Sequence, residues 1–216
     1  ILVQILLNIL LFSNSVFISE YVEASSSTDN YLEIYNGTDS TIDLSEYSLK
    51  VTKHNANEYM IFLNEMPLES INNGFLEPYH VLIIIRSDYA DLCNADYLNC
   101  IENNIQFIEW SYLNNMSGDD AVELYNNSTL LDVIGIPGED PGAGWDVAGI
   151  EEATKNHTLI RKPNITAGNT NWNESSGNED DSEWYVYPNG TYYFGGYHDQ
   201  NYGDIIFGCT NAYACN

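Results

Sequence analysis

The stretch MSGDDAVELYNNSTLLDVIG, Met116 to Gly135, decides how the rest of the chain is read. AVELY and LLDVIG are short apolar runs joined by NNST. Two such runs across an Asn/Ser turn predict a β-hairpin. Asp119 and Asp120 stand side by side at its entrance, directly after Gly118. Paired acids in that position admit three readings. They hold Ca²⁺ with oxygen ligands from neighbouring loops, with Asp132 or Asp140 as further donors. They do acid–base chemistry. Or one accepts backbone N–H bonds at the loop-to-strand turn while the other faces water.

Short strands recur on both sides of this hairpin. VFISEYVE (16–23) precedes a polar turn, ASSSTDN. YLEIYN (31–36) alternates, with Leu32 and Ile34 on one face and Tyr31, Glu33 and Tyr35 on the other. A strand from about Tyr47 to Thr52 follows, then EYMIFL (58–63). VLIII (81–85) is continuously apolar, which predicts a central strand buried on both faces. IQFIEW (105–110), TLIRK (158–162) and WYVYP (184–188) complete the set. No segment keeps a helical period with caps. Roughly nine short strands with Asn, Gly, Ser and Asp turns predict an antiparallel β-sandwich. The stretches 138–158 and 164–183 read as loops that Trp145 and Trp172 pin to the sandwich, and Trp184 reads as core.

At GDDAVELY…LLDVIG the chain resembles the bacterial lamin-tail domains, immunoglobulin-like sandwich modules of secreted and surface proteins. VFISEYVE is similar to the family's opening strand, and YLEIYNGTDSTIDLSEYSLKV to its second strand, turn and third strand. NHTLIRKPNITAGNTNW and DSEWYVYPNGTYYFGGYH are similar to its closing segments. The resemblance covers residues 16 to about 198 and is less clear over 58–110. It implies an immunoglobulin-like antiparallel β-sandwich with long loops. It also implies that the Gly118–Asp120 motif is a structural corner with no catalytic role. Farther on, FGCTNAYACN (207–216) resembles the start of a Cys-rich repeat of exported bacterial proteins.

The leading residues ILVQILLNILLF form an apolar run of 12, shorter than the ~20 needed to span a bilayer. Ser13 and Ser15 supply small residues ahead of a cleavage point before Val16, so residues 1–15 read as a signal peptide with a truncated start. The expected organisation is therefore a signal peptide (1–15), a sandwich domain (16–198), and a linker with the beginning of a Cys-rich repeat (199–216). No transmembrane segment is expected after signal removal. Cys93 and Cys100 flank NADYLN and fit a local disulfide in an exported protein. Cys209 and Cys215 pair with each other or with residues farther on.

The 32 acidic and 6 basic residues give a formal net charge of −26. That field repels phosphate backbones, so no nucleic-acid partner is expected. Glu20 and Glu33 lie in the first two strands; if those strands pair, the two carboxyls raise a pKa between them. They read as an acid–base or glycosidase-like pair, or as carboxylates at solvent or a sheet edge. NESSGNEDDSEW (173–184) is acidic but lacks EF-hand spacing. It reads as a solvated loop, or as a weak calcium site. His54, His80, His157 and His198 show no ligand spacing. There is no GxSxG, and GEDPGAGW lacks the Lys and Ser/Thr of a phosphate loop. The sequons at Asn36, Asn127, Asn164 and Asn189 are expected by chance in an Asn-rich bacterial chain.

The expected function is a non-catalytic binding, targeting or structural module, secreted or at the cell surface, with a protein or glycan partner. It is expected not to be an enzyme. Two alternatives stand: an accessory domain of an extracellular nuclease or phosphoesterase, and a calcium-dependent adhesin using Asp119, Asp120 and Asp132. Ca²⁺ is the one cofactor in question.

Overall fold

A computed structural model describes residues 15–54, 57–64, 74–86 and 106–192, with 195, 196 and 198. It shows an immunoglobulin-like β-sandwich. The strands are β1 (Val16–Glu23), β2 (Tyr31–Asn36), β3 (Ile42–Asp43), β4 (Tyr47–Thr52), β5 (Glu58–Phe62) and β6 (Phe75–Leu76). They continue as β7 (Val81–Ile85), β8 (Gln106–Glu109), β9 (Ala121–Asn126), β10 (Thr129–Ile134), β11 (His157–Arg161) and β12 (Trp184–Pro188). One sheet has the order β12-β11-β1-β2-β7-β8 and the other β10-β9-β4-β5, with β3 and β6 as a two-stranded ribbon.

The inward faces interdigitate. Ile18, Tyr21, Leu32 and Ile34 meet Leu49, Val51, Val122 and Leu124 in one apolar cluster. A fully buried side chain of this size contributes roughly 1.5–3 kcal/mol. The six-stranded sheet is also covered on its outer face, where Phe17, Val22, Tyr31, Tyr35, Ile83 and Tyr192 form a second cluster. That is why β1 and β2 are buried along their whole length despite alternating sequences. β7 is buried throughout, as VLIII predicts. Trp145 and Trp172 both join the inner core and anchor the loops that carry them, and Trp184 is fully buried.

The quoted hairpin is β9–β10, with Thr129 paired to Asn126 and a turn shorter than NNST suggested. Asn127 takes a φ of +51°, a conformation Asn tolerates better than most residues. Two departures from a plain antiparallel reading appear. β7 and β8 pair in parallel. A single helical turn, α1 (Trp172–Ser176), lies in a stretch read as loop and ends at Gly177, whose φ is +50°. Five residues are too few for a 3.6-residue period to show.

The expected 199–216 segment and the Cys93–Cys100 disulfide lie outside the described residues. So do residues 1–14 of the expected signal peptide.

Candidate functional site

The corner before β9 is fastened from four sides. The side chain of Asn30, after β1, donates to the carbonyls of Leu113 (3.2 Å) and Met116 (3.1 Å) and accepts from Ala24 N (2.8 Å). Asp120 N donates to Ser117 O at 2.9 Å, and Ser117 N donates to Asp120 Oδ2 at 2.9 Å, closing the turn. Thr154 Oγ1 donates to Gly118 O at 2.6 Å and accepts from Trp145 N at 2.7 Å. A Cβ at Gly118 would lie 2.5 Å from Lys155 Cβ, so only glycine lets the 154–156 loop approach.

β4 supplies the remaining side. Thr52 is the register partner of Ala121, so Lys53 and His54 run out beside Asp120 and Asp119. Lys53 Nζ lies 3.2 Å from Asp120 Oδ2 and donates to Asn115 O at 2.6 Å. His54 Nδ1 lies 2.6 Å from Asp119 Oδ2. Ser117 Oγ donates to Asp119 Oδ1 at 2.5 Å. One ligand-capable atom each from His54, Asp119 and Asp120 fall within 4.8 Å of one another. His54 carries no spacing motif; only the β4–β9 register brings it to Asp119 and Asp120, 65 and 66 positions later.

Asp120 is fully buried, and its Oδ1 has no hydrogen-bond partner among the described residues. Burial raises its pKa, opposed by the Ser117 N–H and the Lys53 ammonium. The Tyr21 hydroxyl is likewise buried and without a partner among the described residues. Burial pushes it well above the usual tyrosine range, with further upward pressure from Glu23, Asp120 and Asp119. Glu23, at the end of β1, accepts from Asn156 N at 2.5 Å.

The structure does not bring Asp132 to this corner. It pairs with Leu124, four residues past Asp120 along β9, a separation of about 13 Å at strand rise. Its Oδ2 accepts from Ile18 N at 2.9 Å and Arg161 Nη2 at 2.5 Å. Its Oδ1 accepts from Asn169 N at 2.9 Å and Val133 N at 3.0 Å. Arg161, fully buried, also donates to Glu183 Oε2 at 2.5 Å, with its Cζ 4.0 Å from the Trp184 ring. Glu183 of the acidic loop is therefore an internal counter-ion. Asp140 is exposed and accepts from Gly142 N within its own turn.

Glu20 and Glu33 are direct register partners on β1 and β2, aligned by a bulge between Ile18 and Glu20. Both are buried on the outer face. Tyr31 Oη donates to Glu20 Oε2. Ser19 Oγ and Gly196 N donate to Glu33 Oε1 and Oε2, each at 2.6 Å. Burial raises Glu33 to about 7, and burial followed by the Glu33 charge raises Glu20 well above the carboxylate range. The rings of Tyr192 and His198 lie over this face, 6.3 Å from Tyr31 and 4.9 Å from Tyr35 respectively. The pair is thus roofed by the chain itself.

Among the described residues, no helix is long and apolar enough to cross a membrane. A family model described as Lamin Tail Domain matches residues 13–138. No curated protein and no solved structure matches the chain.

Proposed function

The chain belongs to the lamin tail domain family, and from that premise we propose that it is a non-catalytic binding, targeting or structural module of a secreted or cell-surface protein. The observation that carries this reading is how the carboxylates that looked chemically suggestive are engaged. Asp132 ties β1, β10, β11 and the 169 loop together through four donors. Asp120 closes the turn that launches β9. Glu33 holds the backbone of Gly196 over the outer face. Asp132 and Glu33 link separate segments of backbone and Asp120 fixes a turn, the work of a scaffold. The apolar run 1–12 followed by Ser13 and Ser15 supports export, as does the resemblance of FGCTNAYACN to a repeat of exported proteins. The lamin-tail resemblance also supports an alternative role as accessory domain of an extracellular nuclease or phosphoesterase. The partner fits a protein or glycan surface that is not itself polyanionic, given the charge of −26.

The test is turnover by the purified chain on nucleic acid, phosphoester and glycan substrates, beside binding to a glycan array. The expected outcome is no turnover. A robust rate on any of the three substrate classes, abolished by substituting one of the carboxylates above, overturns the proposal.

A further inference from the structure

We propose that His54, Asp119 and Asp120 form a binding site for a divalent transition-metal ion of the zinc class. The donor set is one imidazole and two carboxylates, the mixture that such ions accept. Calcium prefers six to eight oxygens, and magnesium a near-octahedral oxygen shell. The three donor atoms lie within 4.8 Å of one another. Around a tetrahedral ion with ligands at about 2.0–2.2 Å they would stand about 3.3 Å apart, so they close by at most about 1.5 Å. His54 is exposed and Asp119 partly so, which leaves a solvent-side entrance and room for a water as fourth ligand.

A second observation points to a missing ligand. Asp120 Oδ1 is a fully buried carboxylate oxygen that no donor among the described residues reaches. Its sister oxygen is already fixed by Ser117 N and Lys53, so the free atom is held in place. Supporting contacts of this kind orient metal ligands. On binding, the ion takes the place of the hydrogen shared by His54 Nδ1 and Asp119 Oδ2, and the neutral imidazole carries its one proton on Nε2. The acidic field of the whole chain concentrates cations near the corner.

The test uses the full chain, stripped of metal and with its thiols alkylated. It is titrated calorimetrically with Zn²⁺, and with Co²⁺ while visible absorption is followed. The expected result is one saturable site. Cobalt bands should have the intensity of a four-coordinate N/O centre, and zinc affinity should fall at least tenfold in both His54→Ala and Asp119→Asn. His54 is on the surface, so its variant should melt with the metal-free parent. Absence of saturable zinc binding would overturn the proposal. Zinc binding unchanged in His54→Ala would overturn it too, as would displacement of zinc by millimolar Ca²⁺.

Discussion

Asp132 is predicted to be the most expensive carboxylate in the fold to remove. Replacing it by Ala takes the acceptor from Ile18 N and Asn169 N and strips one of two counter-ions from a fully buried Arg161. Breaking a buried pair by deleting one partner costs on the order of 3–5 kcal/mol. For a chain of this size each kcal/mol moves Tm by roughly 2–4 °C, so a fall of about 6–20 °C is expected. Arg161→Met should cost less than Asp132→Ala. Burial already raises the Asp132 pKa against the pull of Arg161, so the orphaned carboxyl can take up a proton. The double variant Asp132→Ala with Arg161→Met should cost well under the sum of the singles, with a coupling of about 2 kcal/mol or more. Urea unfolding followed by tryptophan fluorescence reads this locally, because Trp184 stacks on the guanidinium. A loss below about 1 kcal/mol for Asp132→Ala, or single costs that add within about 0.5 kcal/mol, would refute the reasoning.

Two further outcomes are expected. Glu20 and Glu33 bind protons more tightly folded than unfolded. Their stabilising effect is therefore complete below about pH 4.5 and is lost as pH climbs through about 7 for Glu33. Tm should fall between pH 5 and pH 8, and Glu33→Gln should flatten that slope; a slope identical in the variant would count against the buried pair as its source. Gly118→Ala should cost roughly 1–3 kcal/mol in urea unfolding, because its Cβ meets Lys155 backbone and side chain at 2.5–2.9 Å. A change under about 0.5 kcal/mol would mean the 154–156 loop gives way freely.

The strands were legible where side-chain alternation or an unbroken apolar run fixes them, as in Tyr31–Asn36 and Val81–Ile85. Their partners were less so. Nothing in TLIRK says that it lies beside VFISEYVE, and the parallel β7–β8 pair has no local signature. The candidate site follows the same division. Asp119 and Asp120 announce themselves as neighbours, and Glu20 and Glu33 follow from the expected pairing of the first two strands. His54 and Lys53 reach the corner only through the β4–β9 register, and Asp132 is held away from it by the β9–β10 register that sets it opposite Leu124. Strand register decides both, and periodicity carries no information about it.

The position of β1 has a kinetic consequence. This strand sits between β2 and β11, with Glu20 opposite Ile160, so one of its edges stays unzipped until the chain has been made some 140 residues farther on. The segment 13–138 that matches the family model ends before that partner begins. A chain halted at 138 would present the β1 edge to any passing strand, the usual route to edge-to-edge aggregation. Closure over so long a loop is intrinsically slow. Synthesis from the N-terminus therefore produces β1 long before β11, the strand that covers its second edge.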